Sequence, residues 1–221
     1  MADEARTFGY LTQPEIRFLD AAVDRLIPPD DLGPGAREAG ATYYIDQQLA
    51  SVWGAHGRNY RMGPWPEGTP QQGFQSRLTP REIYRAAIRE INVHCLAQHQ
   101  KPFEHLAPQQ QDNVLKALES GAIELVSLSS RLFFGLLLRN TTEGFFADPI
   151  YGGNRDKAGW RLIGFPGVPA SNYNDLIDEH NVPYRVEPVS ILDIEEGRVK
   201  LDGQGLPRHE RLKEPEGENG R

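Results

Sequence analysis

The sequence predicts a mostly α fold: a single helical domain of about five to seven helices, with long Gly/Pro/aromatic loops and an extended polar C-terminal tail. Two observations carry this expectation. Apolar residues recur at three- and four-residue steps in successive segments of the first two thirds of the chain, several of them opening on helix-capping residues. Strict alternation is confined to one short stretch near residue 190, which is too little for a sheet. The expected division is a helical domain over 1–192 and a polar tail over 193–221, mobile or held by a partner.

The first helix is read in "TQPEIRFLDAAVDRLIPP". Thr12 and Glu15 stand at capping-box spacing, Ile16, Leu19, Val23 and Leu26 form one apolar stripe, and the Pro28–Pro29 pair stops it. A second follows in "REAGATYYIDQQLASVW", with Ala41, Tyr44, Ile45 and Leu49 on one face and Gly40 weakening its first turn. Residues 54–78 have no period of either kind and are rich in Gly and Pro. Their Tyr60, Trp65 and Phe74 argue for an ordered loop with rings to bury.

The clearest helix is "LTPREIYRAAIREINVHCLAQHQ". Thr79 caps it, Pro80 suits the first helical position, Glu82 completes the box, and Ile83, Ala87, Ile91 and Cys95 follow at steps of four. "PQQQDNVLKALESG" makes a shorter helix that ends at Gly121, and "SLSSRLFFGLLLRNTTEGFF" a fifth, with Leu132, Phe133, Leu136 and Leu137 buried. Beyond Gly167 a short helix over 171–177 and an extended segment over 186–191 are expected. Residues 193–221 hold eight acidic and six basic residues and no Phe, Tyr or Trp, so they cannot cover a core of their own.

Composition excludes several functions. Lys plus Arg (24) against Asp plus Glu (31) gives a net charge of −7, and no basic run is present, so nucleic acid is an unfavourable partner. Cys95 is the single cysteine, which rules out an internal disulfide, a thiolate zinc cluster and a cysteine-ligated iron–sulfur centre. The most apolar stretch, 133–138, is far short of the roughly 18 residues a membrane span needs. The N-terminus "MADEARTFGY" shows no export signal as written. Of the six histidines, His94 and His99 are five apart, which is not the ligand-pair spacing, and no HExxH occurs. The glycines fit neither a dinucleotide nor a P-loop frame.

The unusual stretch is "FFADPIYGGNRDKAGWRLIGFPG", residues 145–167, dense in glycine and rings. One reading is a surface moulded to another protein, with Phe145, Phe146, Asp148, Tyr151, Gly152, Gly153, Asn154, Arg155, Trp160 and Phe165 at the contact and Trp65 joining from the earlier loop. A second is that the rings close the fold's own core. A third is a pocket in which Asp148, Tyr151, Asn154, Arg155 and Asp156 receive a carbohydrate acid, Arg155 pairing its carboxylate. Asp148 and Asn154 also read as ordinary hydrogen-bonding turn residues.

"RLIPPDDLGPGAREAGATYYIDQQL" (25–49), "FADPIYGGNRDKAGWRLIGFPG" (146–167) and the helical layout between them resemble the small, or gamma, subunit of membrane-associated FAD-dependent gluconate 2-dehydrogenases, also found with fructose, sorbitol and glucose dehydrogenases. The likeness spans roughly residues 10–190. It implies a chain with no cofactor and no catalytic residue of its own, whose partner is a large flavoprotein holding FAD, with a cytochrome c subunit carrying haem as a third component. It also implies help in folding, flavin loading and twin-arginine export of the large subunit, and a periplasmic location at the cytoplasmic membrane. The family's usual twin-arginine start is replaced here by Met1, Ala2 and Asp3, which leaves a signal on the partner, a trimmed signal or a cytoplasmic member as the alternatives.

Overall fold

The computed structural model describes residues 7–57, 62–66, 68–69, 76–168 and 184–212. Among them are seven α-helices, α1 (Gln13–Leu26), α2 (Ala41–Ala50), α3 (Pro80–His99), α4 (Pro108–Ser120), α5 (Ser130–Phe146), α6 (Ala158–Ile163) and α7 (Ile191–Glu195), and isolated β-bridges instead of strands. The mostly α expectation holds.

Local chemistry sets the helix starts. Thr12 donates through both its N–H (2.8 Å) and its hydroxyl (2.7 Å) to Glu15 Oε2, and Thr79 does the same to Glu82 (2.7 and 2.8 Å), so each acid satisfies a donor that the first turn would orphan. Gly40 lies at φ 83° as the cap of α2 and not inside it, so the helix begins one residue later, at Ala41. Gly121 closes α4 in the same left-handed region.

The core lies among α1 to α5. Phe18, Leu19, Ile45, Leu49, Ile83, Tyr84, Ile91, Leu118, Phe133 and Leu137 are fully buried in it. α5 is the central element, packing on α1, α2, α3 and α4 and most extensively on α2. Its approach to α2 depends on Gly144, where a Cβ would stand 3.0 Å from the Ala41 Cα and 3.1 Å from the Tyr44 Cβ. Tyr84, wholly buried, is satisfied by accepting from Asn140 Nδ2 at 2.9 Å and donating to the Leu136 carbonyl at 3.4 Å, which fixes α3 against α5. Buried Asp46 ties down the N-terminal segment by accepting from the backbone of Gly9 (2.7 Å), Tyr10 (2.9 Å) and Leu11 (2.8 Å).

Of the 54–78 loop, Trp65 is half-buried, while Tyr60 and Phe74 lie outside the described residues, as does the short helix expected over 171–177. The expected extended segment near 190 forms two single bridges, Gly167 to Val189 and Val186 to Arg211, before α7 begins at Ile191.

Candidate partner interface

The 145–167 stretch begins inside α5 and then folds back over that helix's own end. The fold-back works because side chains are missing where backbones meet. A Cβ on Gly153 would lie 2.1 Å from the Gly144 carbonyl oxygen, and one on Gly159 would lie 2.2 Å from that of Phe145. Both positions require glycine for contact.

Asn154 organises the turn. Its backbone sits at φ 45°, a region asparagine tolerates, and its N–H donates to the Gly144 carbonyl at 2.7 Å. The side chain, fully buried, donates from Nδ2 to the Ala147 carbonyl (2.8 Å) and accepts from the Gly159 N–H at Oδ1 (2.9 Å). One amide thus clamps both ends of the turn. The Arg155 N–H donates to the Ala39 carbonyl (2.9 Å), and Gly152 packs so close to the Tyr43 ring that a Cβ would lie 2.8 Å from its Cδ1. The 25–49 and 146–167 stretches, distant in sequence, are therefore in direct contact.

Asp148 is consumed by structure. Oδ1 accepts from the Ile150 N–H (3.0 Å), capping a 3₁₀ turn at Pro149–Tyr151, and Oδ2 accepts from the Ile191 N–H (2.8 Å) at the start of α7. Trp160 is 5 % exposed, donates from its indole to the Phe146 carbonyl at 2.6 Å and meets the Phe165 ring edge-on at 5.1 Å. Phe145 is buried in the main core and pairs with half-buried Phe146 at 4.9 Å. The rings thus divide: Phe145 and Trp160 turn inward, whereas Tyr151 (54 % exposed) and Phe165 (43 %) face out.

Two residues that ring counting overlooks belong to the same outward surface. Leu162 and Ile163 (60 % exposed) end α6 beside Phe165, with three apolar side chains presented to solvent within four positions. The only sequence signal for them is the aliphatic pair itself, which reads equally well as core. Leu162 also lines a cavity of about 550 Å³ between α6 and the loop before α2, together with Leu32, Pro34, Glu38, Arg155 and Arg161. A second, apolar groove of about 640 Å³ runs between α2 and the end of α5, bordered by Tyr44, Arg139, Glu143, Phe146 and Tyr151. Burial and the neighbouring Glu143 carboxylate push the Tyr44 phenol above its ordinary range, so it stays protonated and donates to Glu143 at 3.3 Å.

The carbohydrate-acid reading required Asp148, Tyr151, Asn154, Arg155 and Asp156 in one pocket. Arg155 and Asp156 border the first of these cavities and Tyr151 the second, and Asp148 and Asn154 border neither. Both carboxylate oxygens of Asp148 already cap backbone. The Cys95 thiol is buried and pushed up to about 11 by burial and by Glu104, which keeps it neutral and unreactive. Among the described residues no group of three or more His, Cys, Asp and Glu is placed to hold a metal ion, and no helix is long and apolar enough to cross a membrane.

Residues 13–167 match the family described as gluconate 2-dehydrogenase subunit 3. The match opens on the first residue of α1 and closes on Gly167, so both contacting stretches fall inside it and residues 184–212 fall outside. No curated protein and no solved structure matches the chain.

Proposed function

The chain belongs to the gluconate 2-dehydrogenase subunit 3 family, and from that premise we propose that it is the non-catalytic small subunit of a heteromeric FAD-dependent sugar or sugar-acid dehydrogenase. Subunit membership implies partner chains. The partner is a large flavoprotein that holds FAD and oxidises the substrate, with a haem c subunit as a third component. The small subunit assists folding, flavin loading, twin-arginine export or stability of the large one, and works in the periplasm beside the cytoplasmic membrane.

The observation that carries this reading is the division of labour in residues 145–167. Two of its polar candidates for chemistry, Asp148 and Asn154, are spent on backbone hydrogen bonds, while Tyr151, Leu162, Ile163 and Phe165 are held out to solvent on a glycine-packed and therefore rigid base. A rigid apolar surface with aromatic anchors is what a stable interface uses, and about 1,600 Å² buried in total suffices for a lasting pair. Ile163→Asp and Phe165→Asp test it. Ile163 is 60 % exposed and its variant keeps the wild-type fold. Phe165→Asp also gives up the edge contact with Trp160 and is compared with wild type by circular dichroism first. Recovery of a flavoprotein with either tagged chain falls tenfold or more. Undiminished recovery with both variants would remove this surface from the account.

A further inference from the structure

Residues 184–212 are laid along the 147–168 loop and meet it repeatedly. Val189 bridges Gly167, with the Val168 N–H donating to the Val189 carbonyl (2.8 Å) and the Val189 N–H to that of Pro166 (3.0 Å). The backbone at Gly167, φ 83°, is pressed so closely between Trp160 and Val189 that a Cβ would lie 2.9 Å from the indole and 2.0 Å from the Val189 carbonyl oxygen. His209 Nε2 bonds the Pro166 carbonyl at 3.0 Å. Asp148 takes the Ile191 N–H, as above. Lys157 reaches both Asp193 (3.0 Å) and Glu187 (3.4 Å), and Arg161 also pairs with Glu187. Asp193 is the hub: it accepts from the Ser190 N–H (3.0 Å) and hydroxyl (2.7 Å), and holds Arg198 (3.1 Å) besides Lys157.

The apolar part of this junction is small and separate. Trp160, Val186 and Val189 are buried, yet none of them belongs to the main core cluster, which ends at Phe145. A junction held mainly by charge-assisted hydrogen bonds over three apolar side chains opens at lower cost than a five-helix core. Asp148, Lys157 and Gly167 each make contacts both within the loop and to the overlying segment, which couples the two.

We propose that residues 184–212 are a strap, latched by Asp193 and Asp148, that fixes the shape of the 147–168 loop and so preorganises its exposed face for docking. The docking half of this rests on the accessory-subunit reading; the latching half does not. A loop held in its bound shape loses less freedom on association, and releasing it lowers affinity without touching a contact residue. Asp193 is a positioning residue here, itself buried and remote in role from the exposed anchors.

Hydrogen exchange of the purified full-length chain separates the two halves. In Asp193→Ala, amides of 149–168 and of 184–200 exchange about tenfold faster or more, in parallel, while α3 keeps its protection. Lys157→Met, which leaves the Ser190 cap intact, gives a smaller effect in the same two regions. Faster exchange confined to 184–200 would overturn the latch, and so would equal loosening of α3, since the segment would then be either a passive cover or part of the core. The same variants are next titrated against the flavoprotein recovered with the wild-type chain. Affinity about tenfold lower is expected; unchanged or tighter binding with the strap released would overturn preorganisation. A wild-type chain that recovers no flavoprotein would contradict the accessory-subunit reading and leave the exchange result to be judged alone.

Discussion

Asn154→Ala is the perturbation that most sharply tests how the 145–167 stretch is built. Removing the side-chain amide orphans the buried Gly159 N–H, which costs about 1–3 kcal/mol, and the half-buried Ala147 carbonyl, which costs about 1 kcal/mol with water in partial reach. The backbone at φ 45° adds about 1 kcal/mol, because alanine lacks the local polar partner that lets asparagine occupy this region. The sum is about 3–5 kcal/mol. For a chain of this size each kcal/mol lowers the melting temperature by about 2–4 °C, so a fall of about 10 °C is expected if the turn unfolds with the core. If the turn opens alone, the loss appears as hydrogen exchange over 149–168 instead. Asn154→Gly separates the causes, since it keeps the hydrogen-bond loss and recovers about 1 kcal/mol of backbone strain. Asn154→Ala within about 0.5 kcal/mol of wild type, with unchanged exchange, would refute the clamp.

Tyr84→Phe leaves the buried Asn140 amide without its acceptor and costs about 1–3 kcal/mol in denaturant unfolding, with the slope unchanged. Gly153→Ala sets a methyl against the Gly144 carbonyl and displaces the turn, at about 1–3 kcal/mol by the same measurement; a neutral result would show that the two backbones are not in contact. Stability also falls with acid. Burial by itself raises the Glu15 carboxyl, but the Arg85 guanidinium and the Thr12 donors outweigh it and hold the group below its ordinary range. A carboxylate whose folded pKa is depressed stabilises the fold above its unfolded value, about 4.3, and loses that contribution as pH falls through the folded value. Glu15→Gln therefore flattens the decline below about pH 4, read from melting temperatures across pH, and an unchanged acid limb would contradict the assignment.

Much of the helical frame was legible because its signals are local. Thr12 with Glu15, Thr79 with Pro80 and Glu82, and the four-residue steps of Ile83, Ala87, Ile91 and Cys95 mark helices without reference to the rest of the chain, and all four of those side chains are fully buried. Gly40 was ambiguous because a glycine early in a helical pattern serves equally as interior or cap, and only the backbone angle decides.

The candidate site was less legible, since its determinants join distant positions. That Gly153 must be glycine follows from Gly144, which lies in another element, and that Phe145 and Trp160 turn inward follows from the fold-back those glycines permit. Ring counting cannot tell a core ring from a docking ring. The partnership of Asp148 with Ile191 and of Lys157 with Asp193 crosses 43 and 36 residues and leaves no periodic trace. The outward face of Leu162 and Ile163 is visible only once α6 is known to stop at Gly164.

The most direct test of the accessory-subunit account is to express the tagged chain in its native host, recover it gently, and record the visible spectrum and subunit pattern of what accompanies it. The account predicts a larger yellow flavoprotein that oxidises a sugar or sugar acid with an artificial electron acceptor, and whose yield drops in Ile163→Asp and Phe165→Asp. A colourless chain recovered alone, or one that turns over a sugar acid without any added protein, would contradict it.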